Sequence, residues 1–188
     1  LYEKKRIICY NLPMINFNYA EPIVMGVVNL TPDSFSDGGQ LTNYDRAMKY
    51  IESQIVAGAD IIDIGAQSTK PGSESISPSE ELQRLDKVLK AYKRNFDVPL
   101  SLDTMVAEVA SFGVANGVDM INDVSALTFD SAMGAVIADG NVGVCLMHMQ
   151  GMPKDMQQQP EYSDVVEDVK QFLTQQVKYC KSLGIQSI

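Results

Sequence analysis

The sequence predicts an α/β protein made of successive strand–helix units with parallel strands. Three observations carry that prediction. Short apolar blocks recur along the chain, a stretch of helical periodicity follows each one, and each block ends in polar side chains. The blocks cover 23–30, 61–65, 99–103, 120–124 and 142–147. They are rich in Val, Ile, Leu and Met and lack strict alternation, the pattern of parallel strands buried on both faces.

Taken in order, residues 1–21 read as a lead-in segment before the first strand, and the 188 residues as one domain, too short for two comfortable ones. After the first block, Tyr44, Met48, Ile51, Ile55 and Val56 fall on one helical face. After the second, Leu82, Leu85, Val88, Leu89 and Tyr92 do the same. Further helices are expected over 106–115, 131–139 and 162–182. Ser79, ahead of Glu81 and Leu82, and Ser163, ahead of Val165 and Val166, read as helix starts. Gly58, Gly117, Gly140 and Gly184 each sit where a left-handed helix cap favours glycine. Residues 185–188 read as the start of a sixth strand.

Two architectures fit such alternation, a doubly wound open sheet and a (β/α)8 (TIM) barrel. A barrel takes about 250 residues, so five units would leave three missing. The polar block ends favour the barrel. Asn29, Asp63, Asp103 with Thr104, Asn122 with Asp123, and His148 with Gln150 stand at the carboxyl ends of five different strands. In a barrel those ends share one mouth. The fold expected is therefore α/β, a (β/α)8 barrel that is incomplete here, with five βα units and the start of a sixth strand.

Composition narrows the function. The net charge is −9, without a basic run or a Trp, which argues against nucleic acid as a partner. The apolar runs fall short of the roughly 18 residues that a membrane span needs. No basic-then-apolar leader opens the sequence, and a cytoplasmic location is expected. Cys9, Cys145 and Cys180 lie far apart and read as reduced thiols, not a disulfide scaffold or a zinc site. A single His and the absence of a Ser-His-Asp arrangement make acyl transfer a poor fit. Nor is there a G-x-G-x-x-G or a P-loop.

What remains is a set of acids and amides with hydroxyl-rich loops. Carboxylates and amides at strand ends suit a flat heterocycle that presents several N–H donors and ring-nitrogen acceptors. The segment 67–72, Gln-Ser-Thr-Lys-Pro-Gly, offers hydroxyls, backbone N–H groups and one cation, an oxyanion cradle. Asp63 has two readings, a ligand-facing acid or an acceptor that holds the following loop. Neighbours Asn122 and Asp123 cannot share a strand face, so one of them is structural. His148 reads as a hydrogen-bonded strand-end residue in preference to a base. Met147, Met149, Met152 and Met156 read as packing groups.

These residues resemble a known family. The stretch 23–39, IVMGVVNLTPDSFSDGG, closely resembles the first signature of dihydropteroate synthases, and 63–72, DIGAQSTKPG, resembles the second. The segments SLDT at 101–104, INDVS at 121–125 and LMHMQGMP at 146–153 follow in the family's order. The family usually carries Gly-Glu at Ala66-Gln67 and Arg at Lys70. Its members are (β/α)8 barrels.

The resemblance implies a folate-pathway transferase and sulfonamide target. Such an enzyme joins (7,8-dihydropterin-6-yl)methyl diphosphate to p-aminobenzoate, forming 7,8-dihydropteroate and diphosphate with Mg2+ assisting. It implies Asn29 as the magnesium contact, Thr69 at the diphosphate, and Asp103 and Asn122 as the catalytic, pterin-gripping residues. The loops carrying Asp33, Phe35 and Ser36, and Thr69, Lys70 and Pro71, correspond to two mobile loops that shape the p-aminobenzoate pocket. Lys at 70 keeps the charge of Arg but loses its planar fork.

The family's later motifs, a DPG strand end, a lysine and an arginine–histidine pair, would fall beyond Ile188. As an isolated polypeptide, 188 residues with an open barrel are expected to be poorly stable and inactive. At full length a homodimer is expected. Two alternatives stand beside this function: a non-catalytic pterin-binding paralogue, on Ala66-Gln67 and Lys70, and a methyltetrahydrofolate–corrinoid methyltransferase, against which TPDSFSDGG argues.

Overall fold

The computed structural model describes residues 22–31, 43–67 and 75–188. The expected lead-in segment 1–21 and the loop residues Asp33, Phe35, Ser36, Thr69, Lys70 and Pro71 lie outside the described residues. Five strands alternate with five helices: β1 Met25–Asn29, α1 Asn43–Val56, β2 Ile61–Gly65, α2 Pro78–Asn95, β3 Leu100–Asp103, α3 Ala107–Ala115, β4 Met120–Asp123, α4 Met133–Gly140, β5 Gly143–Leu146 and α5 Val165–Ser182. Every predicted block became a strand, within two residues at either end. All neighbouring pairs are parallel.

The strand order is β1-β2-β3-β4-β5. That order settles what the sequence left open. A doubly wound sheet reverses its strand order at a switch point, whereas a barrel adds each strand beside the last. Here nothing reverses, and the five units run in barrel order. Beyond α5, the Val144 N–H donates to the Ser187 carbonyl at 2.9 Å, and Ile185 and Ser187 are buried. The expected sixth strand thus begins beside β5, although it forms no strand of its own within the described residues.

The core lies between the sheet and the helices, with Ile51, Leu85, Leu89, Leu102, Ile121 and Ile137 fully buried. All five residues of β2 are buried, as two-sided burial predicts. β1 departs from that expectation. It alternates, with Met25 and Val27 exposed and Gly26 and Val28 buried, because it forms the edge of the described sheet and is covered on one face only. In α1, Val56 is 82% exposed and not on the core face, since it ends the helix as the chain turns toward β2.

Two helix starts move. Ser77, not Ser79, caps α2: its hydroxyl accepts from the Glu80 N–H at 3.2 Å, and Pro78 takes the first helical position, where no N–H is missed. Asp164, not Ser163, caps α5, accepting from the N–H groups of Val166 and Glu167. Gly58, Gly117 and Gly184 adopt positive φ after their helices, but Gly140 ends α4 and Asn141 makes the left-handed turn at φ 50°. Asn is one of the few residues that tolerates that region. Among the described residues no helix is long and apolar enough to cross a membrane. Cys145 and Cys180 are free thiols.

Candidate active site

The strand register places the predicted polar residues on one line. Asn29 pairs with Gly65, Gly65 with Asp103, Asp103 with Asn122, and Asn122 with Cys145. This lateral row crosses all five strands at their carboxyl ends. Neighbouring strands stand about 4.8 Å apart, so Asp103 and Asn122 project side by side. Of the four residues expected to gather at the rim, Asn29, Asp103 and Asn122 do so; Thr69 lies outside the described residues.

Asp63 sits two residues inside the mouth and is only 4% exposed. Its Oδ2 accepts from Asn122 Nδ2 at 3.1 Å. It therefore orients a neighbouring amide, and no backbone N–H among the described residues donates to it. The bond uses the nitrogen end of Asn122 and leaves its amide oxygen as the available acceptor. Burial raises the Asp63 carboxyl above its ordinary range, against the pull of Ser101 and Asn122.

Asp103 leans across β2. A side-chain carbon at Gly65 would stand 3.2 Å from Asp103 Oδ2, so glycine there makes room for the carboxylate. Asp103 Oδ1 is buried and accepts no hydrogen bond. Burial pushes this carboxyl up to about 7, and the nearby charges of Asp63, Glu81 and Asp123 add to the rise. A buried acceptor without a donor is uncommon in folded proteins and is costly unless something uses it.

Asp123 is the structural member of the Asn122–Asp123 pair. It is fully buried and accepts three hydrogen bonds, from the Ser125 N–H at 2.8 Å, the Ser125 hydroxyl at 2.7 Å and the Leu127 N–H at 2.9 Å. Those bonds hold a turn in which Ala126 and Leu127 take positive φ of 53° and 65°. Left-handed backbone costs an ordinary residue about 1–2 kcal/mol.

At the end of β5, His148 packs instead of hydrogen-bonding. Its ring meets Phe172 edge-on at 5.0 Å and Tyr162 at 5.8 Å between centroids. Gln150 donates from Nε2 to the Glu161 carbonyl at 2.7 Å and accepts from the Glu161 N–H at 2.9 Å, closing the loop between them. Met147, Met149, Met152 and Met156 are half-buried, in keeping with packing roles.

Sequence reasoning missed Gly65 and Glu81. Gly65 ends an apolar block, where glycine reads as a turn residue. Glu81 stands in the first turn of α2, where an acid reads as a partner of the helix dipole; it is in fact 1% exposed and lines a cavity of about 250 Å³ with Asp103 and Thr104. As for a metal, no cluster of His, Cys, Asp or Glu suited to one exists among the described residues. Asn29, exposed at the rim, offers one hard oxygen. That donor fits Mg2+, which keeps waters and takes further oxygens from a substrate phosphate.

The fold and this rim define a class: a parallel βα barrel-type protein whose strand ends carry a row of carboxyl and amide groups. The profile of the family described as pterin binding enzyme matches residues 25–188, and the chain belongs to that family. It is 42% identical over 170 residues to the dihydropteroate synthase of Escherichia coli, covering 90% of this chain and 60% of that protein. With the Synechocystis enzyme of the same name it shares 41% over 162 residues, covering 86% and 56%. Among solved structures, the Yersinia pestis dihydropteroate synthase with a sulfonamide drug superposes with a TM-score of 0.79 at 44% identity, covering 88% of this chain and 60% of that one. The chain spans less than two thirds of the length of these relatives.

Proposed function

We propose that the protein is a dihydropteroate synthase and that this chain carries its pterin-gripping strands. The observation that carries the proposal is the row Asn29, Gly65, Asp103, Asn122, with Asn122 locked by Asp63. The amino group and the adjacent ring N–H of a 2-amino-4-oxopterin are two neighbouring donors. Asp103 and the Asn122 oxygen are two neighbouring acceptors, buried enough for their bonds to be strong.

In the reaction, the aromatic amine of p-aminobenzoate attacks the exocyclic methylene of the pterin as diphosphate leaves. Positive charge spreads into the ring as that C–O bond breaks, and ionised Asp103 stabilises it most where the charge is greatest, in the transition state. The family resemblance assigns Thr69 and Lys70 to the departing diphosphate and Phe35 and Pro71 to p-aminobenzoate, whose attack requires that water be excluded. Asn29 would hold Mg2+, whose charge when bound would neutralise that of the diphosphate.

The test is a turnover assay of the full-length protein with the pterin diphosphate and p-aminobenzoate, run beside Asp103→Asn. The variant is expected to lose about 100–1000-fold in kcat/KM, the usual effect of removing one transition-state charge contact. No dihydropteroate formation by the unaltered protein refutes the proposal; wild-type kinetics in the variant remove Asp103 from the site.

A further inference from the structure

We propose that Glu81 is a positioning residue for Asp103: in the empty site the two carboxyls together carry one negative charge, not two, and Glu81 thereby decides how much of it Asp103 presents to the ring. The inference rests on the pterin reading of Asp103 given above. It starts from a side chain that the mechanism does not use. Glu81 is 1% exposed, and neither of its oxygens accepts a hydrogen bond. It lines the same cavity as Asp103, with Gln67, Thr104 and Asp130.

Among the described residues, the cation whose charge reaches it does not neutralise it by contact. Arg84 donates to the Ala66 carbonyl at 2.7 Å and pairs with Glu80, so its hydrogen bonds go elsewhere. A fully buried carboxylate without donors is the arrangement that proteins avoid by keeping the group protonated. Burial does raise Glu81, with the nearby Thr104 hydroxyl and Arg84 pulling the other way. Two such groups facing one cavity titrate as a pair, giving up the first proton readily and the second with difficulty.

Among the described residues, the ionisable groups around Asp103 are all acids. Asp63 comes from β2, Asp123 from β4, Cys145 from β5, Glu81 from α2 and Asp130 from the turn before α4. Asp123 is committed to the Ser125 and Leu127 donors and Asp63 to Asn122. Among the carboxylates shifting Asp103, Glu81 alone accepts at neither oxygen and has only the nearby Thr104 hydroxyl to draw on, so its charge state is the one most free to vary with that of Asp103.

The experiment measures the affinity of the full-length protein for (7,8-dihydropterin-6-yl)methyl diphosphate by calorimetry between pH 5 and 9, for wild type, Glu81→Gln and Glu81→Asp. Titration of the ligand is common to all three. Expected is a wild-type affinity that rises with pH toward a plateau. Glu81→Gln, which leaves Asp103 as sole holder of the charge, reaches its half-rise at least one pH unit lower, so that it binds about twofold more tightly than wild type at the wild-type midpoint and about tenfold more tightly well below both midpoints. Glu81→Asp, which withdraws the carboxyl by one methylene, falls between them. Coincident half-rises in all three overturn the proposal, because a purely structural Glu81 alters stability and not the midpoint. Should Glu81→Gln fail to fold, Glu81→Asp decides: a lowered midpoint supports the sharing of charge and an unmoved one ends it. Absence of wild-type binding at every pH refutes the pterin reading instead.

Discussion

Two aspartates on neighbouring strands and one register position apart, Asp103 at the mouth of β3 and Asp123 at the end of β4, are both largely enclosed and both flank the same rim. Around Asp123 the chain spends three donors on one carboxylate and uses the bonds to hold a strained turn. Around Asp103 the chain supplies no donor to Oδ1 and gathers further acids instead. A satisfied buried carboxylate is architecture; an unsatisfied one waits for a ligand. The difference separates the structural half of the rim from its binding half.

The comparison can be broken experimentally. The largest effect expected is that of Asp103→Asn on turnover, already given, accompanied by unchanged or raised thermal stability, since a buried charge with no partner disappears. Asp123→Ala should do the reverse. Its loss orphans the Ser125 and Leu127 N–H groups and frees the turn, a destabilisation of about 3 kcal/mol read from urea unfolding. If Asp103→Asn instead proves the more destabilising of the two, the assignment of roles is wrong.

A smaller effect is expected at Gly65. Gly65→Ala places a methyl group against the Asp103 carboxylate and should weaken pterin binding by about tenfold, equivalent to about 1.4 kcal/mol, through displacement alone. Unaltered affinity would mean that Asp103 yields without consequence.

The smallest is a slope. In an unfolded chain Asp103 ionises near pH 4, and in the fold near about 7. Between those values the folded state binds more protons. The stability contributed by this group is therefore full below about pH 4 and declines as pH rises toward about 7. Unfolding midpoints measured at pH 5 and 8 should differ less in Asp103→Asn than in wild type. An equal difference would show that Asp103 titrates in the fold as it does in the unfolded chain.

Much of this was legible in the sequence because barrel strands announce themselves. Two-sided burial makes continuous apolar blocks, and β2 to β5 were read from those blocks to within two residues. Asn29, Asp103 and Asn122 were legible because polar residues that end such blocks have only the mouth to face. What stayed hidden depends on contacts distant in sequence. The Asp63–Asn122 bond joins residues on strands two apart. Glu81 looks like any acid in a first helical turn until the helix is packed. The cap at Ser77 was displaced onto Ser79 because Pro78 between them looks like a linker residue and serves as the first helical position.

The shared rung of Asn29, Gly65, Asp103, Asn122 and Cys145 also sets where this chain can change its length over evolutionary time. Dropping one residue inside a strand swings every later side chain of that strand from the mouth to the helix layer. Extra residues in the turns at the opposite end, such as that between α1 and β2, leave the rung untouched. Insertions and deletions among descendants should therefore collect at the floor of the molecule and at its mouth loops, while the stretch from each strand to its terminal polar residue keeps its spacing.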